Sequence, residues 1–451
     1  MAKTYDSYKD SGIAWIGEIP SEWKVEKARH LFTQRNSKGN DTPVLLSATQ
    51  LHGMYPQHLL EGVVQVHKDT DLQTFKTVHK NDYVISLRSF QGGFEMSDFE
   101  GVCSPAYQVF YNISKICHQY YKLLFKSQGF ISMINSLVVG IREGKNIQYG
   151  SFSYSYLPVP PINEQEKIAS FLDTKCGEID SLISLQEEMI SELQAYKQSV
   201  ITEAVTKGLD PNAKMNCCAS REKNDACISS SETQPAIERK FKDSGVEWIG
   251  EIPEEWRITK IKRIANTTSG STPRNITNDN EASIKWFRTT DINENIVADS
   301  PIHLTESEFK SASCPMLKPN TCLVAMYGGA GTIGKFGMLS EEATINQALC
   351  SIEPYDMMHS KYIFYILKGI RTYWMKYASG TRKDPNINQE VVRNMLIPVP
   401  PLSEQQAIAS YLDDKTSQID SLISLKQQKI DELKDYKKSI IYEYVTGKKR
   451  V

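Results

Sequence analysis

One long stretch occurs twice in this chain. The first copy runs from Leu157 to Gly208 and the second from Ile397 to Lys448. They align without a gap at an offset of 240 residues, and more than half of the aligned positions are identical. An internal repeat is the first feature to settle, because it limits the chain to architectures built from two similar halves.

Each copy has the pattern of a long amphipathic helix. Apolar residues recur at three- and four-residue steps, the spacing that places them on one helix face. Each helix would be roughly 65 Å long at 1.5 Å per residue. A narrow apolar stripe on so long a helix needs a partner, and the other copy is the natural one. The stripe comprises Ile168, Leu172, Ile179, Leu182, Leu193, Tyr196 and Val200, then Ile408, Leu412, Ile419, Leu422, Leu433, Tyr436 and Ile440.

Both ends of each helix carry sequence signals. Pro160-Pro161 and Pro400-Pro401 open the two copies and cannot continue an earlier helix. Asn163 with Glu166, and Ser403 with Gln406, have the spacing of a capping box, in which two side chains satisfy free backbone N–H groups reciprocally. Gly208 and Gly447 stand where the helices would stop, since glycine readily ends a helix.

A shorter repeat, which we call the leader, lies upstream of each long copy. YKDSGIAWIGEIPSEWKV (8–25) recurs as FKDSGVEWIGEIPEEWRI (241–258). Each leader carries two tryptophans around a Gly-Glu-Ile-Pro turn, Trp15 with Trp23 and Trp248 with Trp256. Such aromatics could stack on nucleic-acid bases. We favour an apolar clasp that seats a domain against the helix ends, because an identical clasp in both halves could not distinguish two sequences.

The chain therefore divides into leader, variable middle and helix, repeated once across a polar linker. The expected segments are 1–156, a helical segment 157–208, a flexible linker 209–240, then 241–396 and 397–451. Both middles show short β-type runs between turn residues, followed by an aromatic-rich helical stretch. The predicted fold class is α+β, with two β-rich globules joined by a pair of long antiparallel coiled-coil helices in a pseudo-two-fold repeat.

Composition narrows the class of protein. The start of the chain has no apolar signal-peptide core, and no run of 18 apolar residues occurs, so we expect no membrane span. Nine cysteines at irregular positions without a CxxC pair indicate reduced, cytoplasmic usage. The net charge of −2 argues weakly against a free-standing nucleic-acid binder, although it does not reveal local basic patches.

Three enzyme-like signals carry little weight, and we expect no catalytic and no metal-binding residues. Residues 329–334 fit GxGxxG, but Phe336-Gly337 follows Lys335 where a phosphate-binding loop needs Ser or Thr and a helix. A strand-ending turn is the better interpretation. Glu164 to Lys167 could imitate part of a nuclease site, yet the second copy reads EQQA. An amino-methyltransferase would need an Asn/Asp-Pro-Pro-aromatic motif, which is absent.

At the level of motifs the chain resembles the specificity subunit of a Type I restriction-modification system. The motifs are the leader KDSGxxWIGEIPxxW, the PVPPxxEQ helix start, IDSLISL and the VTxG helix end. GLDPNAKM is similar to the family's join between halves, and SGSTP, IKWFRTTDI and LVAMYGGAGTIGK resemble a target recognition domain. The first middle lacks a GSTP segment, and its SLRSFQGGFEM parallels the glycine-rich run only loosely.

The resemblance implies a non-catalytic reader of double-stranded DNA. Each middle would be a target recognition domain for one half of a bipartite site, and the helices would fix the distance between them. Methyltransferase (M) subunits would dock on the helices, and translocating restriction (R) subunits would join them. No cofactor is expected on this chain. S-adenosylmethionine would belong to the M subunits, and ATP with magnesium to the R subunits.

Two other classes remain open from the sequence. One is a complete enzyme that modifies DNA by itself, which methyl transfer by the isolated chain would reveal. The other is a protein-only adaptor in which a coiled-coil strut displays two β-rich domains. Salt-dependent DNA binding by the assembled complex would separate the adaptor from a DNA reader, since phosphate contacts make affinity depend on salt.

Candidate DNA contacts are polar residues beside glycine-containing turns of the two middles. Arg and Gln can pair with guanine and adenine edges, whereas Lys mostly meets phosphate. The alternative for each residue is a solvated surface position. The candidates are Arg88, Gln91, Arg142, Lys145, Asn146 and Gln148 in the first middle, and Thr272, Arg274, Arg288, Thr289, Lys335, Arg382 and Lys383 in the second.

Overall fold

The computed structural model divides the chain into two compact units. Unit 1 comprises Met1–Glu188 with Lys426–Val451, and unit 2 comprises Met189–Leu425. Each unit thus holds one leader, one β-rich globule, and part of each long helix. The structure describes residues 4–39, 44–49, 52–60, 72–137, 147–209, 239–276, 282–328, 331–380 and 385–451.

Unit 1 is built on a four-stranded antiparallel sheet of order β4-β11-β8-β9. Its inner face carries an aromatic core that includes Phe32, Tyr83 and Phe110, all at most 1% exposed. The aromatic-rich stretch forms two helices rather than one, with Ser127 between them in extended conformation. The strands are β1 Tyr8–Asp10, β2 Glu18–Pro20, β3 Lys24–Lys27, β4 Phe32–Arg35, β5 Leu46–Thr49, β6 Gly53–Pro56, β7 Lys76–Val78, β8 Tyr83–Ile85, β9 Glu95–Met96, β10 Gly101–Cys103, β11 Gln108–Asn112 and β12 Tyr156–Val159. The helices are α1 Ala28–Leu31, α2 Ser89–Gly92, α3 His118–Lys126, α4 Gln128–Asn135, α5 Tyr149–Ser153 and the long α6 Ile162–Lys207, which continues into unit 2.

Unit 2 repeats this plan with a five-stranded sheet of order β16-β23-β20-β21-β18 and a three-stranded sheet of order β19-β17-β22. The segment from Ile345 to Pro354 is divided between the two sheets, because Ile345 ends one strand of the three-stranded sheet and Leu349 begins a strand of the five-stranded sheet. The strands are β13 Phe241–Asp243, β14 Glu251–Pro253, β15 Arg257–Lys260, β16 Ala265–Ser269, β17 Ile284–Phe287, β18 Asn295–Val297, β19 His303–Leu304, β20 Cys322–Ala325, β21 Phe336–Leu339, β22 Thr344–Ile345, β23 Leu349–Pro354, β24 Ser379–Gly380, β25 Pro385–Asn386 and β26 Leu396–Val399. The helices are α7 Glu306–Ala312, α8 Ser360–Gly369, α9 Gln389–Asn394 and the long α10 Leu402–Val445, whose second half lies in unit 1.

The two long helices run antiparallel inside each unit, as expected. In unit 1 Lys437 contacts Asp180 and Lys426 contacts Gln186, so residue numbers rise along one helix as they fall along the other. In unit 2 Lys197 contacts Asp420. Among the residues that the structure describes, no helix is long and apolar enough to span a membrane. The predicted fold class, two β-rich globules with paired long helices in an internal repeat, is confirmed.

The predicted capping boxes are wrong. The carbonyl oxygen of Pro161 accepts hydrogen bonds from the backbone N–H of Glu164 and of Gln165, at 2.8 and 3.0 Å. Pro161 therefore caps the first long helix, and Asn163 lies inside its first turn. The second helix begins the same way, at Pro401. The residues before each proline pair form β12 and β26, which pair with the strand that begins at the end of each leader, β3 or β15.

The predicted apolar stripe is buried only toward the ends of the helices. Ile168 and Leu172 are fully buried and Ile179 is 5% exposed. Their counterparts in the second copy, Ile408, Leu412 and Ile419, have the same exposed fractions. Leu182 and Tyr196 are instead 47% and 57% exposed, and their counterparts Leu422 and Tyr436 are 48% and 57% exposed. Ile168, Leu172 and Ile179 belong to the hydrophobic core of unit 1, and Ile408 and Leu412 belong to that of unit 2.

The leaders form the predicted clasps. Trp23 and Trp256 are fully buried, which leaves no ring face for base stacking. The indole N–H of Trp23 donates to Glu164 Oε2 at 3.0 Å, and that of Trp256 donates to Glu404 Oε2 at 3.0 Å. Both glutamates lie in the first turn of a long helix, so each leader is fastened to the start of the helix in its own unit. This contact also explains the carboxylate that seemed nuclease-like.

Each leader also meets the end of the other long helix. Gly447 has a φ of +72°, and a Cβ there would lie 2.4 Å from Pro20 Cδ. In unit 1 the Tyr8 hydroxyl donates to the Lys448 carbonyl at 3.4 Å. In unit 2 Gly208 has a φ of +78° and lies against Trp256. The first leader therefore lies beside the end of the second helix.

Candidate functional site

Several loops of unit 2 leave its two sheets at one edge, which we call edge 2: Gly270–Arg274, Arg288–Asp291, Met326–Tyr327 and Asn346–Ala348. The register places them together, because Ser269 pairs with Cys350, Ala325 with Leu349, and Phe287 runs parallel beside Ile345. Backbone hydrogen bonds join the loops: Asn346 N–H donates to Phe287 O at 2.9 Å, and Met326 N–H donates to Ala348 O at 2.8 Å.

The segment after β16 lies directly on the chain that follows β22. A Cβ on Gly270 would lie 1.9 Å from the carbonyl oxygen of Ile345, so only glycine permits this approach. Ser271 N–H donates to that same oxygen at 3.0 Å, and the Thr272 hydroxyl donates to the Gln347 side-chain oxygen. Thr272 and Arg274 are both exposed beyond this anchor. Their loop is therefore fixed at its base and open at its tip.

Arg288 is held in a fixed orientation by Asp291. Its Nε and Nη2 donate to the two carboxylate oxygens at 3.1 Å each, and its backbone N–H donates to Oδ2 at 2.9 Å. Partial burial acts to raise the pKa of Asp291, but these hydrogen bonds outweigh it and lower the pKa below the ordinary value. The pair thus stays ionised, and the arginine side chain, 37% exposed, is presented at the edge.

Two further predicted residues of unit 2, Thr289 and Lys335, lie on or near edge 2. Thr289 is half-buried beside Arg288, and Lys335 is half-buried at the start of β21. Residues 382 and 383 lie outside the described residues. Ile387, which follows β25, is tied to edge 2, because its backbone N–H donates to Met326 O at 3.0 Å.

Unit 1 has a corresponding edge 1, formed by Ser86–Gly92, Ser104–Tyr107 and Ile147–Gln148. The buried Gln108 organises it: its Nε2 donates to Ile147 O at 3.0 Å, and its Oε1 accepts from Tyr149 N–H at 2.7 Å. Arg88 and Gln91 are exposed on the loop after β8, and Gln148 is exposed beside Gln108. The predicted residues Arg142, Lys145 and Asn146 lie outside the described residues.

The two edges correspond strand by strand. Phe32 pairs with Asn112 as Ala265 pairs with Pro354, and this register aligns Val84 with Leu323. Counted forward along the sequence from this register, Arg88 corresponds to Tyr327, the second residue after the end of β20. Tyr327 is 40% exposed.

Sequence reasoning missed Tyr327 and Gln347. Gln347 lies in the run from Ile345 to Pro354, which has the pattern of one continuous strand. Tyr327 lies directly after the apolar run that begins at Cys322, where a strand end is expected. The only signal was the polar Asn-Gln pair that interrupts an otherwise apolar run.

The middle of each long helix forms a second exposed surface. In unit 1 Leu182 and Leu185 are 47% and 49% exposed, and in unit 2 Leu422 and Leu425 are 48% and 62% exposed. We call these four residues the mid-helix leucines. Adjacent exposed leucines on a polar helix are typical of a protein-binding surface. No group of His, Cys, Asp and Glu suited to a metal ion occurs in the described ranges.

Comparisons with known proteins agree with this arrangement. The family model for the Type I restriction modification DNA specificity domain matches twice, at residues 17–195 and 253–435. The chain is 24% identical to the Type I restriction enzyme MjaVIII specificity subunit of Methanocaldococcus jannaschii, covering 96% of this chain and 94% of that protein.

Two solved structures share the fold. One comes from work on complex assembly and conformational transition of the type I R-M system, with a TM-score of 0.67 at 14% identity over 95% of this chain and 98% of that chain. The other is the HsdS subunit from Thermoanaerobacter tengcongensis, with a TM-score of 0.52 at 15% identity over the same shares.

Proposed function

The chain belongs to the Type I restriction modification DNA specificity family, and from this membership we propose that its two globules read the two halves of one bipartite DNA site. Its relatives are named specificity subunits of restriction enzymes, so this chain contributes recognition and other subunits contribute catalysis. Edge 1 reads one half-site and edge 2 reads the other.

The observation that carries the proposal is the contrast between constant frames and different edges. Both units fasten a leader tryptophan to a glutamate with the same 3.0 Å hydrogen bond. At positions that correspond when counted from the strand register, however, unit 1 carries the exposed Arg88 and unit 2 the exposed Tyr327. A bipartite site requires two different surfaces for reading its two sequences. The constant frame, in contrast, offers a partner protein the same surface twice.

The side chains of edge 2 can form hydrogen bonds with the base-pair atoms that face the major groove. Arg288 is a preorganised donor, and Thr272 with Gln347 supplies hydroxyl and amide groups beside it. Such groups read hydrogen-bonding patterns in the major groove, while lysines such as Lys335 contact phosphate. On edge 1 the exposed Arg88, Gln91 and Gln148 supply the same kinds of group.

The mid-helix leucines are the docking surface for the M subunits. Each unit offers one pair of leucines at equivalent positions of the repeat, which suits two copies of one partner. R subunits would join the assembly through the M subunits. S-adenosylmethionine would be held by the M subunits, and ATP with magnesium by the R subunits.

Selection from random double-stranded DNA tests the proposal. The full chain, assembled with its cognate M subunits, should enrich duplexes with two short constant sequences separated by a spacer of fixed length. Enrichment should weaken steeply with added salt, because phosphate contacts release counterions. Selection of a single uninterrupted sequence, or of none, would contradict a bipartite reader.

Docking has its own test. Replacing Leu182 and Leu422 by Ser should weaken M-subunit binding, because each leucine buried at an interface contributes about 1.5–3 kcal/mol. Leu59, which is 57% exposed on the globule of unit 1, provides the control as Leu59→Ser. Equal M binding by the helix variant and the control variant would place the docking surface elsewhere.

A further inference from the structure

A turn of unit 2 next to edge 2, Gly331–Lys335, is fixed at one end and exposed at the other. We call it the glycine turn. Gly334 N–H donates to Ala325 O at 2.8 Å, and Ala325 N–H donates to Lys335 O at 2.7 Å, which continues the β20–β21 ladder. Gly331 is exposed. Glycine-rich turns have many accessible conformations, so a single conformation needs external support.

Arg371 supplies that support. Its Nη1 donates to the Ile333 carbonyl at 2.6 Å, and its Nη2 donates to the Gly331 carbonyl at 2.9 Å. Its Nε donates to Glu294 Oε1 at 3.1 Å, so the guanidinium is itself oriented by a carboxylate. The three hydrogen bonds use three nitrogens of one planar group, a geometry that only arginine provides.

The same segment of chain holds the other side of the turn. Trp374, three residues after Arg371, is fully buried. Gly334 has a φ of +72°, and a Cβ there would lie 2.1 Å from Trp374 Cδ1. The glycine turn is therefore packed against an aromatic ring on one face and bonded through its carbonyls to Arg371.

We propose that Arg371 is a positioning residue for base recognition by the second globule. It contacts no base itself in this arrangement; it holds the glycine turn in the conformation in which Lys335 meets phosphate, and phosphate contacts fix the register of the base-reading residues of edge 2 on the duplex. A turn ordered in advance loses less conformational entropy when DNA binds, which strengthens its contact with DNA. The inference rests on the proposed reading of one half-site by edge 2.

The effect should be confined to one half of the DNA site. In unit 1 the corresponding loop is ordered differently: the short helix Ser89–Gly92 follows β8, and Ser86 N–H donates to Ser89 Oγ at 2.8 Å. No described contact links that loop to an arginine like Arg371. A change at Arg371 should therefore leave reading by edge 1 intact.

The test compares Arg371→Lys with Arg393→Lys in the full chain assembled with M subunits. Lysine keeps the charge at 371 but cannot span Glu294 and two carbonyls. Arg393 is the matched control, since it is a surface arginine of the same unit paired with Glu390. Glu294→Gln, which removes the orienting charge and keeps the size, serves as the second variant. Two quantities are measured: amide hydrogen exchange at Gly334 and Lys335, and binding to duplexes with single substitutions in either half-site.

Arg371→Lys and Glu294→Gln should speed exchange at both amides. They should reduce discrimination against substitutions in one half-site about 10-fold, or about 1.4 kcal/mol. Discrimination in the other half-site, and all properties of Arg393→Lys, should stay at parental values. Unchanged exchange, unchanged discrimination, or an equal loss in both half-sites with a lower Tm would each overturn the inference. A parent complex without any base preference would instead contradict the proposed function, which this design reveals before any variant is compared.

Discussion

Lys197 Nζ lies 2.6 Å from each carboxylate oxygen of Asp420 in unit 2. In unit 1 Lys437 Nζ lies 2.7 Å from each carboxylate oxygen of Asp180, and both residues are offset from the first pair by 240 positions. The aspartates are 58% exposed, so each ion pair contributes at most about 1 kcal/mol. The pairs therefore mark the register of the antiparallel helices more than they stabilise it.

The start of the second helix should depend on a buried amide. Gln405 is fully buried; its Oε1 accepts from His359 N–H at 2.8 Å and its Nε2 donates to Pro400 O at 2.9 Å. Gln405→Leu leaves both backbone groups unpaired, so the free energy of unfolding should fall by about 1–3 kcal/mol or more. Denaturant unfolding measures it, with the exposed Gln406→Leu as control. Equal stability of the two variants would show that the amide is dispensable.

Acid should destabilise unit 2 through His359. Burial lowers the pKa of His359 below its ordinary value of 6.5, and nearby Lys361 adds to this, while Asp413 partly opposes it. The unfolded chain consequently binds more protons than the folded chain as pH falls through 6.5, and stability declines there. His359→Gln should make the free energy of unfolding less dependent on pH between about 7.5 and 5.5. A parental slope in His359→Gln would refute the assignment.

Helix length should set the spacer of the DNA site. Deleting residues 186–192 and 426–432 removes equivalent heptads and keeps both Lys–Asp pairs and the mid-helix leucines. Each helix shortens by about 10 Å, which corresponds to about three base pairs. DNA selection should return the same two half-sites with a shorter spacer. An unaltered spacer would mean that another part of the assembly holds the half-sites apart.

The contacts between leader and helix ends predict tolerance of circular permutation. In unit 1 the Tyr442 hydroxyl donates to Trp15 O at 3.0 Å and Tyr8 contacts Lys448, so a short Gly/Ser segment should join the old termini. New ends near Ser229 fall in the polar linker, outside the described residues. The permutant should melt as the parent does and select the same DNA with M subunits. A folded permutant that selects a different site would count against the arrangement.

The constant frame could be predicted from the sequence because it is repeated. The surroundings of Trp23 in unit 1 match those of Trp256 in unit 2, and the surroundings of Gly447 match those of Gly208. One physical explanation therefore accounts for both copies. The capping boxes could not be predicted correctly, since spacing alone does not reveal that the Pro161 carbonyl already accepts the first helical hydrogen bonds. The exposure of Leu182 could not be predicted either, because helical periodicity identifies the apolar face of a helix without showing what covers that face.

The edges were predicted less well, for a different reason. Arg88 and Thr272 could be proposed from turn composition, but Tyr327 and Gln347 reach edge 2 only through the pairing of strands distant in sequence. The Arg288–Asp291 pair lies close in sequence and could have been recognised. The support of the glycine turn by Arg371 joins residues 38 and 40 positions apart and needed the structure.

The central claim is that each globule reads its own half of the site. The most direct measurement is DNA selection with two variants assembled with M subunits, one carrying Arg88→Ala with Gln91→Ala and one carrying Thr272→Ala with Arg274→Ala. Each lost base contact should cost about 1–3 kcal/mol of discrimination. The first variant should relax one half-site and leave the other at parental stringency, and the second variant should do the reverse. Relaxation of the same half-site by both variants, or of both half-sites by either one, would contradict the account.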